Sequence, residues 1–128
     1  MAKHESAASV ALQLKNFTED IIQQVTLEVT AVLGEDTPVD TGWAQANWVP
    51  NIGASHTGTV GTKESVTATA KEEGIAKVLA LYKLPAIVFV TNNVPYIERL
   101  NSGHSDKAPS GYVQLAILKG IQAVENRV

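Results

Sequence analysis

Residues 6–33, SAASVALQLKNFTEDIIQQVTLEVTAVL, place apolar side chains at Val10, Leu14, Phe17, Ile21, Val25, Val29 and Val32. Steps of three and four keep these residues on one stripe of a 3.6-residue helix, so the segment is predicted to be one long amphipathic helix. Gly34 offers a C-terminal stop, and Pro38 forbids continuation a few residues later. Thr26, Val29, Thr30 and Val32 are β-branched and weaken the last two turns, because each loses χ1 freedom against the preceding turn. A second apolar set, Leu12, Ile22, Leu27 and Leu33, lies off the main stripe and widens the surface beyond what one core contact needs. Two arrangements answer to that pattern, a helix lying deep across its own sheet or a helix shared with another subunit.

Beyond the turn Glu35-Asp36-Thr37-Pro38, the aromatic-containing run Trp43 to Ile52 is predicted to hold a strand from near Ala46. Gly53 to Gly61 mixes Gly, Ser and Thr with few apolar anchors, the composition of an exposed loop, and a flexible loop is expected over about 53–67. Helical spacing returns from Ala68 to Tyr82, with Ile75, Val78, Leu79 and Tyr82 on one side and Lys71, Glu72, Lys77 and Lys83 mostly on the other. Pro85 ends that helix, and Ala86 to Thr91 is a continuous apolar run of the kind buried in the middle of a sheet. A short helix fits Pro95 to Leu100, since proline's missing N–H is not needed in a first turn. From Ser110, the positions Val113, Leu115, Ile117, Leu118, Ile121 and Val124 suit a C-terminal helix, although a strand could also claim Val113 to Ile117. The expected fold is therefore α+β: a short, mostly antiparallel sheet packed by a long N-terminal, a middle and a C-terminal helix in a single small domain, residues 1–128.

Composition supports one globular core, with 45% apolar and 18% charged residues over 128 positions. The absence of cysteine excludes disulfides, thiolate metal sites and thiol nucleophiles. The opening Met1-Ala2-Lys3-His4-Glu5-Ser6 leads into no apolar signal region, and no stretch approaches the ~20 apolar residues of a membrane span, so a cytoplasmic setting is expected. In that setting the glycosylation-like Asn16-Phe17-Thr18 has no meaning. A net charge of −3 has the wrong sign for affinity built on neutralising phosphates, yet it allows DNA to pass close by without being held.

Candidate chemistry is sparse. Ser102, His104, Ser105 and Asp106 contain the residue types of a catalytic triad, but they lack the final glycine of a nucleophile elbow and read better as a polar turn. A metal site would need His4, His56 and His104 to converge, as none has a second ligand at helical spacing. Glycines 53, 58 and 61 open no helix in a phosphate-cradling pattern. Trp43 and Trp48, without a basic cluster nearby, read as anchors of a core or an interface rather than as base-stacking platforms.

Two blocks are more specific than composition. The first is Pro38-Val39-Asp40-Thr41-Gly42-Trp43-Ala44-Gln45-Ala46-Asn47-Trp48, and the second runs from Thr91 to Gly111, TNNVPYIERLNSGHSDKAPSG. Their order and spacing resemble the small neck, or tail-completion, proteins of tailed double-stranded DNA bacteriophages. In that family P-x-D-T-G-x-x-x-x-N-W precedes N-N-x-P-Y-x-x-x-L-x-x-G-x-S-x-x-A-P-x-G. The resemblance spans roughly Thr37 to Leu118 and reaches the N-terminal helix only in kind. The chain departs from the pattern at Trp43 and Gln45, where arginines are common, and at Asn101, where an acidic residue is usual.

The resemblance implies a non-enzymatic virion protein at the head–tail junction, without cofactor, assembled in the bacterial cytoplasm. It implies a ring of about six or more copies that joins the head connector or stopper to the tail terminator or tail tube, with DNA passing through the channel. A tail terminator capping the tube is the neighbouring reading. The motif positions it marks as interface or structural residues are Asp40, Thr41, Gly42, Asn47, Trp48, Asn93, Pro95, Tyr96, Leu100, Gly103, Ser105, Pro109 and Gly111. Within them, Asp40 and Thr41 suit an Asx-type turn, Asn92-Asn93 suit a cap on the short helix, and Gly103 to Gly111 suits an ordered loop offered to a neighbour.

Overall fold

A computed structural model describes residues 6–37, 43–59, 68–103 and 110–127. Ser6 sits in extended conformation, and its hydroxyl accepts from the Ser9 amide at 3.1 Å, satisfying one of the orphan N–H groups that begin a helix. Helix α1 then runs through Ala7–Asp36, 30 residues, about 45 Å at 1.5 Å per residue. It continues past Gly34, the expected stop. A glycine in a helix interior costs about 1 kcal/mol relative to alanine and does not by itself end the helix. The end comes at Thr37, which leaves helical conformation while its amide and its hydroxyl both donate to the Leu33 carbonyl, at 3.1 and 2.5 Å. The β-branched turns hold because their threonines turn inward on the helix itself. Thr26 Oγ1 donates to Ile22 O at 2.8 Å and Thr30 Oγ1 to Thr26 O at 2.7 Å.

Next comes a single helical turn, α2 (Trp43–Ala46), where a strand was expected to begin, as Ala44, Gln45 and Ala46 are helix formers. Strand β1 (Val49–Ile52) follows, then α3 (Ala68–Leu79), β2 (Val88–Thr91), α4 (Ile97–Asn101) and α5 (Tyr112–Glu125). The two strands pair antiparallel, Val49 opposite Thr91 and Ile52 opposite Val88. Among the described residues the sheet has only these two strands, so the apolar run around β2 is not in the middle of a sheet. Ile87 is 64% exposed, and Phe89 also reaches solvent. Such a ribbon is marginal alone and relies on helices against it; β1 packs on α3 and on α1. Helix α3 is shorter than expected: Leu81 and Tyr82 leave it in turns, the Tyr82 phenol donating to Ala86 O at 2.8 Å. Helix α4 begins after Pro95, not at it, since Pro95-Tyr96 form a turn closed by Ile97 N donating to Val94 O. The segment a strand could have claimed, Val113 to Ile117, is helical within α5.

Helices α1 and α5 form the principal contact and run antiparallel: Asp36 meets Lys119, Val29 meets Gly120, and Glu28 meets Arg127. The two ion pairs are half-exposed and add little to stability. Apolar packing dominates, with Val29, Leu33, Trp48 and Ala116 enclosed and Val25, Val32, Val90, Ile97 and Val113 around them. The helices meet where Gly120 has no side chain. A Cβ there would lie 2.5 Å from Val29 Cγ2 and 2.8 Å from the Val29 Cα and N. Gly120→Ala is therefore expected to force the helices apart and cost about 1–3 kcal/mol in urea unfolding. Gly34→Ala, whose Cβ meets open space, should stabilise by up to about 1 kcal/mol in the same measurement.

Candidate assembly interface

The described part of the first sequence block is anchored on the hydroxyl of the residue just before the block. Thr37, fully enclosed, donates to the end of α1 and accepts from Trp48 Nε1 at 2.7 Å, so the last turn of α1 is tied to the residue preceding β1. Trp48 is an anchor of the subunit's own core, and Asn47 beside it is 2% exposed with its amide donating to Ala44 O. The second block joins the first at that carbonyl. Asn92 Nδ2 donates to Ala44 O at 2.8 Å while its Oδ1 accepts from Val94 N at 3.1 Å. Asn93 reaches elsewhere, donating from Nδ2 to His56 O at 2.7 Å and Gly58 O at 3.0 Å. The pair thus does not cap α4, whose N-cap position is Tyr96 and which has no side-chain cap. Asn93 instead pins the described part of the 53–67 loop, helped by Gly53 N donating to Ile87 O at 2.8 Å. Residues 60–67 of that loop lie outside the described residues.

Asn101 does specific work at the start of α5. Gly111 precedes that helix with φ +78° and supplies no side chain to cap it. Asn101 Oδ1 accepts from Val113 N at 2.9 Å, its carbonyl accepts from Gly111 N at 2.7 Å, and its Nδ2 donates to Gln114 Oε1. Gly103 is equally constrained, at φ +86° with its missing Cβ 3.2 Å from Ser110 Cβ. Pro95 is exposed, and Tyr96 and Leu100 are half-buried at the surface of this unit. Asp40, Thr41, Gly42, Ser105 and Pro109 lie outside the described residues, as do His4, His104 and Asp106. Of the triad-like group only Ser102 is described, exposed, with its hydroxyl donating to Glu98 O at 2.8 Å. Among the described residues no group of His, Asp and Glu could hold a metal ion, and no helix is long and apolar enough to cross a membrane.

No protein-family model matches the chain, and neither a curated protein nor a solved structure does.

The largest departure from the sequence reading concerns which side of α1 is buried. The helix turns Glu19, Thr26, Val29, Thr30 and Leu33 inward. The apolar stripe meets this face only at Val29. Val25 and Val32 are partly buried at its margin, whereas Leu14 is 61% and Phe17 54% exposed, with Val10 and the off-stripe Leu12 exposed as well. Glu19 is the last inward anchor, 5% exposed, its Oε2 accepting from Leu84 N at 2.8 Å. Before it, Ala7 to Thr18 stands exposed throughout except for half-buried Ser9. Helix α5 repeats the pattern: Tyr112, Ala116, Gly120 and Val124 are buried, while Leu115, Ile117, Leu118 and Ile121 face solvent. These two faces, not the motif blocks, carry the accessible apolar surface of both helices.

Where α5 begins, Tyr112 is fully enclosed. Burial pushes its phenol above the ordinary 10.0, and the neighbouring Thr37 hydroxyl opposes this more weakly. Among the described residues the Tyr112 oxygen has no partner in hydrogen-bond geometry. As pH rises past 10.0 the unfolded chain releases this proton while the folded chain keeps it, so its contribution is intact below that value and stability falls above it. Tyr112→Phe is expected to keep or raise stability at neutral pH by up to about 1 kcal/mol and to flatten the alkaline decline, read by urea unfolding at several pH values.

Proposed function

We propose that the chain is a structural subunit of the head–tail junction of a tailed bacteriophage, a neck or tail-completion protein that assembles as a ring, completes the tail and joins it to the head connector. It acts without catalysis or cofactor. Its partners are further copies of itself, the head connector or stopper, and the tail terminator or tail-tube proteins, and it resides in the virion. The observation that carries an assembly role is the exposed start of α1. The stripe is buried or half-buried at Ile21, Val25, Val29 and Val32, while Val10, Leu14 and Phe17 stay in water on turns that the subunit itself does not cover.

The location rests on the paired blocks and their spacing. Their described residues Trp48, Asn92 and Asn101 serve as scaffold, linking α1, the sheet and the start of α5, while the exposed helix faces meet neighbours. A net charge of −3 suits a channel wall, because a mildly acidic surface does not trap a passing phosphate backbone.

Electron microscopy of a lysate from phage carrying an early stop codon in this gene tests the reading. Filled heads beside separate, finished tails are expected. Overlong tails would assign the chain to tail termination instead, and intact infectious particles would contradict both.

A further inference from the structure

We infer that the first three turns of α1 from one copy lie on the outward face of α5 of a second copy, a head-to-tail contact that repeats around the assembly. The inference rests on the ring reading above and names the surfaces that would close it. The two faces differ and sit apart on the subunit. Since α1 and α5 run antiparallel with Glu28 beside Arg127, the segment Ala7–Thr18 projects past the C-terminal end of α5, away from that helix's outer side. One chain's own projection therefore cannot cover its own α5.

Each face is incomplete alone. Eleven of the twelve residues Ala7–Thr18 are exposed, so these three turns take almost no support from tertiary packing, the main source of helix stability in proteins. Helix α5 is apolar on both sides, the pattern of a helix buried all round. Val10, Leu14 and Phe17 on one side and Leu115, Ile117, Leu118 and Ile121 on the other leave on the order of 600 Å² of apolar surface in water. Joined, and with the surrounding polar rim, they reach the scale of a specific interface, at least about 1,000 Å² in total.

Charge favours a second copy over self-pairing of either face. Lys15 is the one charge on Ala7–Thr18. On α5, Lys119 is engaged by Asp36, leaving Glu125 as the charge with no ion-pair partner among the described residues. Self-pairing of either face offers its lone charge no opposite, whereas the head-to-tail contact brings one positive and one negative face together. Unlike faces meeting by rotation is also the geometry that closes into rings.

The absence of native cysteine makes the test clean. Leu14→Cys and Leu118→Cys chains, each full length with one thiol, are purified and treated with a flexible bis-maleimide, separately and mixed. Covalent dimers are expected chiefly in the mixture. Placing Lys15→Glu in the first chain or Glu125→Lys in the second should lower the yield about two- to five-fold at low salt, and the two together should restore it. Equal linkage of either chain alone, or no linkage in a mixture whose chains both keep the wild-type helical circular dichroism, would overturn the contact. The phage experiment reads the ring's role independently. Linkage alongside normal infectious particles would keep the contact and remove the neck, and joining-defective phage without linkage would do the reverse.

Discussion

Everything in this subunit depends on the missing side chain at position 120. With only a hydrogen there, α5 settles against the backbone of Val29, and the antiparallel pair becomes the frame on which the rest is hung. That close approach sets Tyr112 near Thr37 at one end of the pair and Arg127 near Glu28 at the other. It also encloses Ala116 and Leu33, leaving room for Trp48 to close the core from the side of the sheet. A two-stranded ribbon has little stability of its own, and here it borrows order from the helices through Trp48 and the Thr37 hydroxyl.

The same geometry explains the odd distribution of polarity along α1. A threonine that donates to its own i−4 carbonyl brings no unsatisfied hydroxyl into the core, so Thr26, Thr30 and Thr37 can face inward at little cost. Glu19 is made tolerable by the Leu84 amide. Val10, Leu14 and Phe17 lie before Glu19, on turns of α1 that the rest of the described subunit does not cover.

Much of the architecture was legible because it rests on long periodic signals. The α+β class, the long N-terminal helix from Ser6, the middle and C-terminal helices and the apolar run around Val88 to Thr91 follow from spacing alone. What escaped was decided by contacts between distant residues. Spacing marks Val10 to Val32 as a stripe but not which side of the helix the domain covers, and only the docking of α5 at Val29 answers that. Gly34 reads as a stop because glycine often is one, yet the helix runs on to Asp36 and ends at Thr37, the residue before Pro38, where the proline disfavours helical conformation. Asn101 reads as a departure from a family pattern until its side chain is seen at Val113 N, 12 residues away. Of the motif positions, Asn47 and Trp48 are placed inside the subunit, and a sequence block cannot distinguish residues that hold a surface in place from residues that form it.

On the proposed function the chain is one part of a repeating assembly: a helix pair, a sheet tied to it by buried hydroxyl and amide groups, and two unlike apolar faces turned outward. The most direct measurement of that claim is the number of copies in purified phage particles, counted by quantitative mass spectrometry against the other structural proteins. A ring at the head–tail junction predicts a fixed number per particle, about six or more. A chain missing from the particles, or present in one or two copies, would contradict it.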